Sequence, residues 1–161
     1  MNKFDYESSK YLNREQGFTL FELLVVIFIL GILAAIALPT FLNQVNKAKG
    51  VEAINKINYF NKLQESYYTE NSAFTDSINN LNNSSTETEN YHYWILLFNQ
   101  GQIAIHVAQP KKPSLSYYGG GVYLKNDSNQ NKRIYPCGPL NFSNNPNPQQ
   151  VLTAVYTNCD L

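Results

Sequence analysis

The residue types that most often carry enzymatic chemistry are few and scattered in this chain. Its two histidines, His92 and His106, have no cysteine or carboxylate at a spacing that would build a metal site or a nucleophile and base pair. We therefore predict two ordinary histidines of a β-sheet, no catalytic residues, no metal and no other cofactor. The run Gly119–Gly121 lacks the strand-then-helix context of a phosphate-binding loop and predicts a turn. An enzyme is the least favoured class.

The charges argue against another class of protein. Basic and acidic residues balance at 12 each among 161 residues, so the chain has no excess of positive charge. A protein held to nucleic acid by a broad basic surface would need such an excess. The basic pairs Lys111–Lys112 and Lys132–Arg133 predict solvated loops, although they could still contribute to DNA binding.

The two cysteines can form at most one disulfide within the chain. Cys137 and Cys159 are too few for a four-thiolate metal site. Bridging them would stabilise the C-terminal segment by about 3 kcal/mol in the chain-entropy model. Two unpaired thiols are the alternative. A structural disulfide belongs outside the cytoplasm, so a bridge would place this part of the chain outside.

The apolar stretch at residues 18–38 contains one ionisable side chain, that of Glu22. As a helix this stretch would extend about 30 Å, close to the hydrocarbon thickness of a bilayer. It is longer than the usual apolar core of a cleaved secretory signal, although residues 35–37 mimic a cleavage site. We predict a membrane-spanning helix. A carboxylate at membrane depth usually marks a function; the alternative is a side chain that reaches the headgroups.

The basic residues around this stretch do not set its orientation in a membrane. Three precede it and three follow it closely, namely Lys3, Lys10, Arg14, Lys47, Lys49 and Lys56. A bridge between the two cysteines would decide the matter, because it requires an oxidising compartment. In that case the N-terminus lies inside and the bulk of the chain outside.

Gly17, the apolar stretch 18–38 and Pro39 together strongly resemble the class III signal and N-terminal helix of type IV pilins and of the related type II secretion pseudopilins. The resemblance covers about residues 17–53. It rests on a small residue before a phenylalanine, a lone glutamate at the fifth position after the cut and a long apolar helix. It implies cleavage between Gly17 and Phe18 by a prepilin peptidase and N-methylation of Phe18.

The resemblance also implies roles for residues of the retained helix. Cleavage exposes a cationic amine on Phe18, and Glu22 would supply its counter-charge, from one subunit to the Phe18 of a neighbour. Breaking such a buried pair on one side costs about 3–5 kcal/mol. Gly31 and Pro39 are expected to bend the helix or let it melt locally. The alternative for both is the ordinary tolerance of membrane helices for Gly and Pro.

The helical pattern continues beyond Pro39. From Val45 to Tyr67 apolar residues recur every three or four positions, with lysines between them. This spacing predicts one helix from Phe18 to about Asn71, whose first half is apolar and whose second half is amphipathic.

The rest of the chain predicts a small antiparallel sheet. Strands are predicted at residues 91–98, 102–108, 122–125, 133–135 and 151–157. Alternation along the second strand places Ile105, with residues 103 and 107, on the face toward the helix, and it places Ala104 and His106 on the opposite face. The expected fold class is α+β, a long N-terminal helix packed on a small antiparallel sheet, as in pilins.

Our principal interpretation is a structural subunit of a type IV pilus, with a leader at residues 1–17, a transmembrane and assembly helix at 18–39 and an exported head at 40–161. The resemblance implies an inner-membrane precursor, a surface filament, and adhesion, twitching motility or DNA uptake as uses. Its partners would be other copies of the subunit, the prepilin peptidase, an assembly platform and an ATPase. A C-terminal disulfide loop would match those of many type IV pilins, and residues 64–74 resemble cyanobacterial pilins more weakly.

Two alternatives stay open. A type II secretion pseudopilin is disfavoured by the cysteine pair and by the scarcity of carboxylates after Tyr91, since a calcium site needs six to eight oxygen ligands. A membrane-anchored binding domain that never polymerises would leave Glu22 incidental. An intact Met1, or a cut after Ala37, would remove the pilin interpretation.

Overall fold

One long helix, α1 (Leu20–Asn71), begins the described part of the chain. The computed structural model describes residues 19–82, 85–125, 130–142 and 146–159, with the backbone alone at residue 125 and at residues 130–133. The chain divides into two units, Met1–Leu42 and Asn43–Leu161, and the second unit contains the sheet.

Four antiparallel strands form one sheet in the order of the chain. They are β1 (Tyr91–Phe98), β2 (Ile103–Pro110), β3 (Tyr117–Lys125) and β4 (Gln130–Leu140). A second helix, α2 (Pro148–Asn158), follows the sheet, and short 3₁₀ turns lie at Ile78–Asn80 and Asn99–Gly101. The predicted α+β class is confirmed.

The amphipathic half of α1 packs on one face of the sheet. Ala53, Ile57 and Phe60 are fully buried there. They recur at the three-to-four spacing that places side chains on one side of a helix. The side chains of the sheet in the same core are those of Tyr91, Tyr93, Ile95, Ala104, Ala108 and Val122.

The predicted assignment of the two faces of β2 is wrong. Ala104 and Ala108 belong to the core under α1, and the ring of His106 packs against the same helix, whereas Ile105 and Val107 belong to a second core with α2. Both faces of β2 are buried, so alternation of apolar and polar residues does not distinguish them. The two alanines and the His106 ring face α1, and the β-branched Ile105 and Val107 face α2.

The helix α2 replaces a strand predicted at residues 151–157. It starts with a capping box: Asn147 Oδ1 accepts from the Gln150 N–H at 2.8 Å, and Gln150 Oε1 accepts from the Asn147 N–H at 3.0 Å. Val151 and Val155 lie one turn apart and are fully buried against the sheet. The apolar period here is therefore four residues rather than two.

The three consecutive glycines lie within β3, which starts at Tyr117, and not in the predicted turn. A Cβ at Gly120 would lie 2.8 Å from Ile57 Cγ2 on α1, and one at Gly119 would lie 2.7 Å from Val155 Cγ2 on α2. Ordinary contacts between carbon atoms are about 3.5–4.0 Å. Glycine therefore lets both helices approach this strand closely.

The last strand is longer than its predicted core at residues 133–135, because it continues through prolines. Two residues of β4, Tyr135 and Pro136, oppose the single Gly120 of β3, which makes a bulge. A second irregularity of pairing follows toward the end of β4. Proline is tolerated at bulges and on edge strands, where no ladder hydrogen bond is lost.

Candidate assembly site

The start of α1 holds the single carboxylate of the apolar segment. The N–H and the hydroxyl of Thr19 both donate to Glu22 Oε2 at 2.9 Å, and the Glu22 N–H donates to Thr19 Oγ1 at 3.2 Å. This is a capping box, in which a threonine and a glutamate three residues later satisfy each other's backbone N–H groups. The carboxylate of Glu22 is thus held at the first turn by its own chain. Thr19 is not among the residues predicted for this site, although its spacing from Glu22 is the signature of this motif.

The surface of α1 from residue 20 to residue 42 is exposed. The exposed fraction of its large apolar side chains runs from 38% at Val25 to 83% at Leu20. Fully burying one such side chain is worth about 1.5–3 kcal/mol, so this surface is unfavourable in water. Among the described residues, one helix, Leu20–Asn71, is long and apolar enough to cross a membrane. Lipid and other copies of the same helix both suit this surface.

Gly31 and Pro39 lie within α1, which continues through both. Apart from its chain neighbours and the backbone of its own helix, nothing among the described residues lies within 4 Å of a Cβ built on Gly31. Pro39 has no N–H to donate to the preceding turn. Bending at these two residues stays a prediction. So does the pairing of Glu22 with Phe18, because Gly17 and Phe18 lie outside the described residues.

The predicted disulfide is confirmed. Cys137 of β4 and Cys159 at the end of α2 are bonded, with their Cα atoms 5.2 Å apart. Cys159 is 5% exposed and belongs to the core between α2 and the sheet. The bridge therefore fixes the C-terminal end of α2 to the sheet.

The head also contains buried polar contacts that sequence analysis missed. Asn61 Nδ2 donates to the Ile134 carbonyl at 3.2 Å, and His106 Nδ1 lies 2.8 Å from Asn61 Oδ1. Gln64 Nε2 donates to the Thr75 carbonyl at 2.5 Å, and Gln64 Oε1 accepts from the Thr75 N–H at 3.1 Å. Asn61 and Gln64 are amides on the apolar side of a helix. A buried polar group needs a hydrogen-bond partner, so their positions in the sequence could have indicated these contacts.

An exposed ion cluster ties the segment before β1 to the end of β2. Lys111 Nζ lies 2.7 Å from Glu87 Oε2, and His92 Nδ1 lies 3.2 Å from Glu87 Oε1. The hydrogen bond from Lys111, together with its charge, lowers the pKa of the Glu87 carboxyl. In the described part of the chain, no group of three or more His, Cys, Asp or Glu side chains is placed to hold a metal ion.

Two family models match this chain. The model of type IV pilin-like G and H proteins matches residues 50–157, more than half of the chain, and the model of the prokaryotic N-terminal methylation motif matches residues 12–38. The chain belongs to the type IV pilin-like G and H family. The second match contains Gly17, Phe18 and Glu22, the residues of the proposed processing and assembly site.

Similar proteins include pilins and a secretion protein. The chain is 34% identical over 85 residues to the type IV major pilin protein PilA of Myxococcus xanthus, covering 53% of this chain and 39% of the relative. It is 36% identical over 66 residues to the type IV wide pilus major component PilA4 of Thermus thermophilus, covering 41% of this chain and 50% of the relative. It is 32% identical over 116 residues to the type II secretion system core protein G of Vibrio cholerae, covering 72% of this chain and 64% of the relative. The matches thus span less than two thirds of each relative. No solved structure matches the chain.

Proposed function

We propose that this protein is a structural subunit of a type IV pilus that polymerises through the first half of α1. The observation that carries the proposal is the exposed apolar surface of α1 from residue 20 to residue 42, with Glu22 as its one carboxylate. Membership of a pilin-like family supports it. So does the likeness to relatives that are named as major components of pili.

Cleavage between Gly17 and Phe18 by a prepilin peptidase and N-methylation of Phe18 complete the proposed site. The new terminal ammonium begins an apolar helix, and in a filament it is removed from water. It then needs a counter-charge, which Glu22 of a neighbouring subunit supplies. The rest of the helix exchanges lipid for the same helix of other subunits, so assembly replaces one apolar environment with another.

The proposed precursor spans the inner membrane, with the leader at residues 1–17 on the cytoplasmic side and the head at residues 40–161 outside. The bridge between Cys137 and Cys159 supports this orientation, because structural disulfides belong to oxidising compartments. Its partners are the peptidase, an assembly platform with its ATPase, and other subunits of the filament. Adhesion, twitching motility and DNA uptake are the proposed uses of that filament.

Mass spectrometry of the N-terminus tests the processing step. We expect the first residue of the extracted protein to be an N-methylated Phe18. Cells that lack the prepilin peptidase serve as the control, and there the N-terminal peptide should begin before Gly17. An intact Met1 in the wild-type cells, or a cut after Ala37, would contradict the proposal.

Replacement of the carboxylate tests the assembly step. Glu22→Gln removes the charge at nearly constant shape, and the lost pair is worth about 3–5 kcal/mol, so the equilibrium for adding a subunit should fall about a hundredfold or more. The protein should remain in the membrane while filaments in sheared surface material disappear from electron micrographs. Glu70→Gln changes an exposed carboxylate of the same helix in the head and should leave filaments intact. Normal filaments from the Glu22→Gln variant would refute the role of Glu22.

A pseudopilin of type II secretion is the second candidate. The match to the core protein G of Vibrio cholerae favours it, since that match covers 72% of this chain. The two candidates differ in what a deletion of the gene removes at native expression. Loss of surface filaments with intact protein secretion supports the pilus subunit. Loss of secreted enzymes, without loss of filaments, supports the pseudopilin.

A further inference from the structure

A histidine lies inside the core between α1 and the sheet. His106 is 1% exposed, and the centre of its ring lies 5.7 Å from that of Phe60 on α1. Its Nδ1 lies 2.8 Å from Oδ1 of Asn61, which is also 1% exposed. This contact joins β2 to α1 in a place from which water is excluded.

The second hydrogen bond of Asn61 determines which nitrogen of the His106 ring carries the hydrogen. Asn61 Nδ2 donates to the Ile134 carbonyl at 3.2 Å, which makes Oδ1 the atom that faces His106. An amide oxygen can only accept, so the hydrogen of the imidazole lies on Nδ1. The lone pair is then on Nε2, which is buried without a hydrogen-bond partner among the described residues.

The same amide reaches a third element. Ile134 is the last regularly paired residue of β4 before the bulge at Tyr135 and Pro136. Asn61 therefore connects the backbone of β4, the imidazole of β2 and the helix α1 itself. No other described side chain donates to the Ile134 carbonyl.

Protonation of the His106 ring is unfavourable in this arrangement. It would add a positive charge and a new N–H at Nε2, for which the described residues offer no acceptor. The partners of His106 in the sheet register, Ile95 on β1 and Gly120 on β3, carry no charge. Burial of a charge without a partner is strongly unfavourable.

The titratable groups that share the Phe60 ring with His106 do not compensate that charge. They are Tyr93 of β1, whose ring centre lies 5.8 Å from that of Phe60, Tyr59 of α1, whose ring centre lies 6.3 Å from it, and Lys56 of α1, whose Nζ lies 5.2 Å from it. Lys56 is a cation, burial raises the pKa of Tyr93, and Tyr59 carries a phenol rather than a carboxylate, so none of the three supplies the counter-charge of an acid. Burial lowers the pKa of His106 to about 3.

We propose that the Ile134–Asn61–His106 contact is an acid-sensitive latch that holds α1 on the sheet. At neutral pH one amide connects three elements. To take up a proton, the ring must leave its place against α1 for water, so acid separates the helix from the sheet. The sign follows from the unfolded chain, where a histidine has a pKa near 6.5 and binds its proton first. The contribution of this contact to the free energy of unfolding is therefore complete above about pH 6.5. It decreases as the pH falls toward 3.

Urea unfolding of the full-length protein in detergent measures this loss. The single tryptophan of the chain, Trp94, lies on β1 and reports on the head. With pKa values of about 3 and 6.5 in the folded and unfolded states, the unfolding equilibrium constant rises about 25-fold from pH 7 to pH 5. This window lies above the usual range of carboxyl groups, which limits their contribution.

The two histidines provide a matched pair of variants. His106→Gln keeps a donor for Asn61 and cannot take up a proton, so the 25-fold change should be lost. His92→Gln alters the half-exposed histidine beside Glu87 and should keep it. The His92→Gln protein also has a single histidine, whose ring can be followed by NMR. That ring should remain neutral, with its hydrogen on Nδ1, at pH 5.

Two results would overturn the latch. One is a His106 ring that becomes protonated between pH 6 and pH 7 while the head stays folded. The other is a His106→Gln variant that keeps the full change between pH 7 and pH 5. Should the His106→Gln protein not fold, the NMR titration of the His92→Gln protein still decides the question.

Discussion

Replacing Gly120 by alanine tests the close approach of α1 to β3. The new Cβ would lie 2.8 Å from Ile57 Cγ2 and 3.1 Å from both the Ile134 carbonyl oxygen and the Pro136 Cα. Overpacking of this kind costs about 1–3 kcal/mol. The reduced freedom of the unfolded chain offsets about 0.4–1 kcal/mol of it. We expect Gly120→Ala to lower the free energy of unfolding by about 1–2 kcal/mol.

A double-mutant cycle separates this clash from other effects. Ile57→Ala alone leaves a cavity and costs about 2–5 kcal/mol. It also removes the Cγ2 atom that the new methyl group would strike, so Gly120→Ala should cost less in this background. We expect a coupling of at least about 1 kcal/mol. Gly119→Ala is the control, because its Cβ would strike Val155 on the opposite face, and it should combine additively with Ile57→Ala.

Urea unfolding of the full-length variants, followed by Trp94 fluorescence and circular dichroism, gives the four free energies of the cycle. The slope with urea should stay constant, which shows that the unfolded states are comparable. Additivity of Gly120→Ala and Ile57→Ala within about 0.5 kcal/mol would refute the argument. Equal coupling for Gly119→Ala would show that the effect is not specific to the face under α1.

Three further predictions concern the end of the head and its surface. The Cys137→Ser and Cys159→Ser double variant should lose about 3 kcal/mol in urea unfolding, and an unchanged midpoint would contradict the role of the bridge. Asn147→Ala removes the cap of α2 and should cost about 1 kcal/mol by the same assay, whereas Asn147→Asp, which keeps an acceptor, should not. Lys111→Met should raise the pKa of the Glu87 carboxyl in an NMR titration, because it removes the ammonium group that lowers it; an unmoved titration would show that Lys111 is not the cause.

The long helix and the hairpin of the first two strands could be predicted from the sequence because each carries one clear period. The apolar run and the three-to-four spacing that follows it define α1, and alternation with a short turn defines β1 and β2. The disulfide had only one possible pairing within the chain. The processing residues Gly17 and Phe18 stay predictions.

The errors have one physical source, which is that helices cover both faces of the sheet. A strand buried on both faces has no polar side, so the faces of β2 were exchanged. Within β2 the alanines are the better guide, since Ala104 and Ala108 lie on the side on which α1 packs. The element on the other face is a helix where the sequence predicts a strand at residues 151–157, and the capping box of Asn147 and Gln150 is the local signal for that helix.

The geometry at the start of α1 is compatible with the proposed role of Glu22 in assembly. Both hydrogen bonds from Thr19 reach the same oxygen of Glu22, Oε2, and Oε1 has no partner among the described residues. An ammonium group from a neighbouring Phe18 can therefore bind at Oε1 without breaking the capping box. The cap reduces the number of directions in which the side chain can point, so less rotamer entropy is lost when the ion pair forms. Thr19→Ser should accordingly preserve filament yield in sheared material, whereas Thr19→Val, of similar shape but without the hydroxyl, should lower it. Equal yields from the two variants would show that the cap does not position the carboxylate for assembly.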